Sequence, residues 1–202
     1  MSTPPRTLVV FHSRTGHTRQ IGRLVATKLG ADVEEITLPA RAGTPSYARC
    51  AVGALLRCAD EVKAARHDPA AYDLVLVGTP VWFWSLPAPV RGWLEAHPLG
   101  GAQVAFFCTM GGSGAARVFA QMRGVCGKRP RATLALTEAQ VAAGPQAAID
   151  AFVARLSGLR GATARPAARR TRAEAAEAAS APTARAGKRR RAHSQDARSA
   201  TG

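Results

Sequence analysis

No run in this 202-residue chain approaches the roughly 18 apolar residues that a membrane-spanning helix requires. The first six residues lead into a strand-like segment without the apolar stretch of a signal peptide, so a cytoplasmic location is the expectation. The four cysteines, Cys50, Cys58, Cys108 and Cys126, form no Cys-x-x-Cys pair and match no zinc-ligand spacing. A disulfide framework and a metal centre are thereby excluded by pattern, and the thiols read as buried and reduced. The Gly-x-x-x-x-Gly-Lys run of a nucleoside-triphosphate site is absent. So is any grouping of nucleophile, base and orienting residue. His12, His67 and His97 are scattered and read as surface or internally satisfied histidines, which argues against hydrolysis.

Acidic residues are also few, 13 against 28 Lys and Arg, for a formal net charge of +15. That excess resembles a nucleic-acid binder until it is located. From Arg160 onward there are 11 basic and 3 acidic residues, while the preceding part of the chain carries 17 basic and 10 acidic. About half of the excess therefore sits in a tail, and the body is only moderately basic. The tail has no large apolar residue, cannot bury a core, and reads as disordered.

What the chain does have is 47% hydrophobic residues in a regular alternation. Apolar runs at 7–12, 72–78, 104–108 and 133–136 read as strands. A less clean fifth run, with Val33, Ile36 and Leu38, reads as an edge strand. Between them lie helical stripes. One carries Ile21, Leu24, Val25 and Leu29 and can be closed by Gly30; a second spans 47–65; a third starts at Pro87 or Pro89. A fourth carries Val118, Phe119, Met122 and Val125, and a fifth, opened by Pro145, carries Ile149, Phe152, Val153 and Leu156. Five strands alternating with five helices predict an α/β fold, an open parallel sheet covered on both faces, in a domain of residues 1–158 with a tail at 159–202. In such sheets ligands bind at the loops that leave the strand C-termini, where the strand order switches.

Three of those loops are unusual. The first, Ser13, Arg14, Thr15, Gly16, His17 and Thr18, joins the first strand to the first helix. It offers three hydroxyls, a glycine that lets the backbone turn tightly, and the free N–H groups of a helix N-terminus, all suited to an anion. The bland alternative is an ordinary strand–helix turn with a Ser or Thr cap. The second loop follows the central strand and reads Thr79, Pro80, Val81, Trp82, Phe83, Trp84. Aromatic residues are only 5% of the chain, so three in succession at a strand end point to a wall for a planar ring. The alternative places Trp82 and Trp84 on a neighbouring helix or a dimer partner. The third loop, Thr109, Met110, Gly111, Gly112, Ser113 and Gly114, leaves backbone amides open to a heteroaromatic edge, or serves as a flexible linker.

The first loop resembles the Ser/Thr-x-Thr-Gly-x-Thr phosphate loop of the flavodoxin family, and the second resembles that family's Gly-Thr/Ser-Pro-x-Trp stretch. The resemblance spans about residues 7–156 and implies the strand order 2-1-3-4-5 and FMN as cofactor. It implies that Ser13, Thr15, Gly16 and Thr18 hold the flavin phosphate. Residues 79–84 would flank the ring, and the glycine loop would meet its pyrimidine side.

The resemblance implies electron transfer between redox partners, either a partner protein or a small-molecule acceptor. The alternative is an NAD(P)H-dependent reductase of FMN or quinone type. Two departures bear on the choice. Electron-carrying flavodoxins are generally acidic, whereas this body is basic. They also tend to carry Gly in the loop after the central strand, where a peptide flips toward one-electron-reduced flavin. Residues 81–85 contain no Gly, and positive φ costs other residues on the order of 1–2 kcal/mol. A third reading drops redox chemistry and gives the work to the tail, whose clusters at 165–172 and 188–191 can adhere weakly to nucleic acid or an anionic surface. The chain is expected to be a monomer or a homodimer.

Overall fold

The computed structural model describes residues 5–38 and 65–157. The helix expected at 47–65 and the tail at 159–202 lie outside the described residues, apart from Ala65. In chain order the elements are β1 (Thr7–Phe11), α1 (His17–Leu29), β2 (Asp32–Glu35), a short 3-10 turn (Pro69–Ala71) and β3 (Leu74–Pro80). They continue with α2 (Ala88–Ala96), β4 (Gln103–Met110), α3 (Ala115–Cys126), β5 (Pro130–Thr137), α4 (Glu138–Ala143) and α5 (Gln146–Ser157).

The strands form one five-stranded sheet in the order β2-β1-β3-β4-β5, with every neighbouring pair parallel. The apolar runs explain why. β1 is buried along its whole length, and β3 and β4 are buried except at their ends, as strands covered on both faces must be. Side chains alternate between two cores. Leu8, Val10, Val75, Val77, Val104 and Phe106 face α2 and α3, meeting Leu86, Val90, Trp93, Val118 and Met122. Val9, Phe11, Leu76, Ala105 and Phe107 face the other way, against Ile21 and Val25 of α1 and Ile149, Phe152 and Leu156 of α5. The result is three layers, helix on sheet on helix.

β2 lies at the sheet edge, as its weaker pattern suggested, with Val33 38% exposed. Helix α4 is the element that periodicity missed. It is only six residues long and buries Val141 alone, too short to show a stripe. Its signature is a capping box: the Thr137 hydroxyl accepts from the Gln140 N–H at 3.2 Å, and the Gln140 side chain accepts from the Thr137 N–H at 2.8 Å. Close packing of sheet and helix needs two glycines. A Cβ on Gly78 would lie 2.0 Å from the Phe107 ring, and one on Gly22 would lie 2.4 Å from the Phe11 ring.

Because all five strands are parallel, the loops after β1, β3 and β4 leave the same end of the sheet. β1, β3 and β4 are also direct neighbours. The fold therefore gathers the three unusual loops into one place.

Candidate functional site

The first loop turns at Gly16, whose φ of 99° is open to glycine and strained for other residues. Gly16 is also the N-cap of α1, and no side chain caps the helix among the described residues. The N–H groups of the first turn thus have no side-chain partner, and the dipole of a 13-residue helix stands behind them. Space is open above Gly16, where an added Cβ would find nothing within 4 Å. Ser13 is buried and its Oγ accepts the Gly16 N–H at 3.2 Å, which shapes the turn and leaves the hydroxyl proton to donate elsewhere. Arg14 and Thr15 are exposed, and His17 is half-buried. Thr18 is buried, and its Oγ1 lies 2.7 Å from Thr109 Oγ1 at the end of β4.

After β3 the chain makes a two-residue hairpin turn. The Trp82 N–H donates to Ser85 O at 3.2 Å and the Ser85 N–H donates to Trp82 O at 2.8 Å. Both central residues take positive φ, Phe83 at 49° and Trp84 at 55°. Tight hairpins favour this geometry, but it is normally given to Asn or Gly. The sequence led us to expect that a loop without glycine would stay out of the left-handed region. The structure corrects that: two aromatic residues occupy it, at a cost of about 1 kcal/mol or more each. Phe83 is 42% exposed and Trp84 58% exposed, so the strain is accompanied by large apolar surface facing outward. Thr79 lies fully inside the sheet with its hydroxyl donating to Pro80 O at 2.9 Å; Pro80, Val81 and Trp82 are half-buried.

Tertiary contacts hold this turn to the third loop. The Trp84 indole N–H donates to Ser113 Oγ at 2.8 Å, and the Val81 N–H donates to Thr109 O at 2.9 Å. Gly114 caps α3 at φ 108°, and a Cβ there would meet Val81 at 2.8 Å and Trp84 at 3.2 Å. Gly114 therefore permits the close approach of the two loops. Met110 is half-buried, and Gly111, Gly112 and Ser113 are exposed; no atom lies within 4 Å of a Cβ placed on either glycine.

Two residues that sequence reasoning did not assign to the site help to build it. Gln121 of α3 accepts the Leu86 N–H at 2.6 Å and exchanges hydrogen bonds with the buried Ser85 hydroxyl at 3.1 and 3.3 Å. A polar residue beside the apolar stripe of Val118, Met122 and Val125 was its only trace. His12 donates from Nδ1 to Ile36 O at 3.0 Å and sets its ring edge-on to Trp82, with centroids 5.7 Å apart. Beneath the third loop, burial pushes the Cys108 thiol up to about 12, so it is neutral and inert near pH 7. Beside α1, the Arg19 guanidinium grips the Glu35 carboxylate at 2.6–3.0 Å; hydrogen bonding and charge there raise the Arg19 pKa above its usual value.

The sequence model of the flavodoxin family matches residues 6–138, from the start of β1 to the start of α4, and so contains all three loops. The chain belongs to the flavodoxin family. Solved structures of similar fold include a flavoprotein from Lactobacillus acidophilus NCFM in complex with FMN. It is 20% identical, with a TM-score of 0.57 over 69% of this chain and 97% of that one. A protein of Bacteroides uniformis ATCC 8492 assigned as a flavoprotein is 22% identical, with a TM-score of 0.60 over 71% of this chain and 97% of its own. One of Bacteroides eggerthii DSM 20697 is 20% identical, with a TM-score of 0.57 over 74% of this chain and 98% of its own. No curated protein matches the chain. The flavodoxin match stops before α5, yet α5 completes one of the two cores, so the flavodoxin fold here extends to Ser157. Among the described residues no helix is long and apolar enough to cross a membrane.

Proposed function

We propose that this protein binds FMN in the crevice formed by its three loops and carries electrons between redox partners. The observation that carries the reading is the uncapped N-terminus of α1, with open space at Gly16, set next to an exposed and strained aromatic turn. The donor set fits the group. A phosphate placed before α1 would accept from first-turn N–H groups and from the Ser13 and Thr15 hydroxyls, with Arg14 adding charge at the rim. Thr18 would act from behind, its hydroxyl paired with Thr109 and so fixing α1 against the end of β4. Phe83 and Trp84 would cover the ring and exclude water from it, and the Gly111–Gly112 backbone would approach its edge. When bound, the flavin supplies the redox chemistry.

Strain in the aromatic turn supports this role. Rare backbone geometry held by tertiary contacts is characteristic of sites where binding, rather than stability, sets the conformation. The moderately basic body favours a second reading, a reductase that draws an anionic nicotinamide dinucleotide to the site.

One experiment separates these readings. The purified protein is examined for visible flavin absorbance, supplied with FMN, and titrated anaerobically with NAD(P)H and then with dithionite. A carrier is yellow, is reduced readily by dithionite and is reduced only slowly by NAD(P)H. Rapid reduction by NAD(P)H replaces the carrier with the reductase. A colourless protein that does not take up FMN overturns both and leaves the tail as the functional part.

A further inference from the structure

Helices α2 and α3 lie side by side on one face of the sheet, and a groove of about 680 Å³ runs between them. Arg91 and Glu95 line it from α2, one helical turn apart. Arg117, Ala120, Gln121 and Gly124 line it from α3, at spacings that put them on a single helix face. None of these residues belongs to the three loops, although Gln121 touches the groove on one side and the aromatic turn on the other.

Arg91 is the unusual member. It is only 8% exposed, and its Nε has no hydrogen-bond partner among the described residues. A buried N–H without a partner is unfavourable, and an acceptor supplied by a ligand would satisfy it. Arg117 adds a second guanidinium to the same groove, and Glu95 offsets only one of the two charges. The guanidinium fork matches the oxygens of a phosphate or carboxylate. Gly124 gives an independent sign. Glycine inside a helix is unfavourable relative to alanine, and at this position no neighbour requires it, since nothing lies within 4 Å of an added Cβ. Gly124 lines the groove, and a larger side chain there would enter open space.

We propose that the α2–α3 groove is a second binding site, for a small molecule that presents a phosphate or carboxylate to Arg91 and Arg117. The groove volume falls in the range of small-molecule pockets and far exceeds an inorganic anion. The ligand therefore has a body as well as a charged head, and that body lies along Ala120 and Gly124. Because Gln121 also holds Ser85 and Leu86, occupancy of the groove reaches the turn that carries Phe83 and Trp84.

The test is a ¹⁵N NMR titration of the full chain with phenyl phosphate and, separately, benzoate. The expected result is saturable shifts of the Arg91 Nε–H and the Gln121 side-chain amide for at least one of the two. The tighter of the two identifies the head group. Affinity should fall at least tenfold in Arg117→Gln, an exposed position where folding is not at stake. It should vanish in Gly124→Leu, whose added side chain enters open space. Shifts confined to residues 13–18 or to the basic tail would overturn the proposal. So would undiminished binding in Gly124→Leu, or no saturable binding of either compound, the outcome expected if an acidic partner protein is the true occupant.

Discussion

At the scale of single residues, two side chains report how the core and its edge are held. Tyr72 is buried, with its hydroxyl donating to Asp32 at 2.7 Å and the Arg6 guanidinium 4.7 Å over its ring. Burial, followed by the bond to Asp32, pushes the Tyr72 pKa up to about 12. The unfolded chain releases that proton near pH 10 and the folded chain holds it, so Tyr72 adds a loss of stability that begins near pH 10 and grows toward pH 12. Cys108 acts in the same direction, from about 9 to about 12. Denaturant unfolding at pH 9 and pH 11 should therefore show lower stability at the higher pH. Tyr72→Phe should flatten that dependence while costing about 1–2 kcal/mol at neutral pH for the lost bond. Gly78 makes a second prediction at this scale. Its missing Cβ is filled by the Phe107 ring, so Gly78→Ala should destabilise the protein by about 1–3 kcal/mol, read as a lower urea midpoint.

At the scale of elements, the strands and the long helices were legible because burial on two faces writes continuous apolar runs and one-sided burial writes stripes. The strand ends, and hence the three loops, followed from them. Helix α4 was legible only through its Thr137–Gln140 cap, since one buried valine makes no period. The geometry of the aromatic turn was not legible at all. Local preference opposes positive φ at Phe83 and Trp84, and what imposes it comes from other elements: Gln121 on α3, and Ser113 and Gly114 in the third loop. Two substitutions test that account. Gln121→Ala strands the Leu86 N–H and should cost about 1–3 kcal/mol while also weakening FMN binding, because the turn loses its support. Trp84→Gly relieves the strain but removes the indole bond to Ser113, so stability should stay within about 1 kcal/mol of the parent. Its FMN affinity should nevertheless fall at least tenfold, as read by flavin fluorescence. A parallel loss of stability and affinity in Trp84→Gly would mean that the turn serves the fold rather than the ligand.

At the scale of the whole molecule, charge is divided between two parts with different expected roles. Residues 1–158 hold 17 basic and 10 acidic residues, and the remainder holds 11 basic and 3 acidic. Every described element ends by Ser157, and the described residues of both cores all lie at or before Leu156. A chain ending at residue 158 should therefore keep the thermal midpoint and the FMN affinity of the full chain. Its affinity for polyanions should change. If the 11 basic residues of the tail neutralise phosphates, they release counterions in doing so, and log K falls against log salt with a slope of about −0.9 per phosphate on duplex DNA. The full chain should then bind duplex DNA at low salt with a steep slope and no sequence preference. The shortened chain should bind more weakly with a slope smaller by several units. Equal binding by the two would move the interaction to the moderately basic body, whose charge would then select acidic redox partners. In that case the same salt dependence should appear in the rate at which an acidic partner reduces the protein.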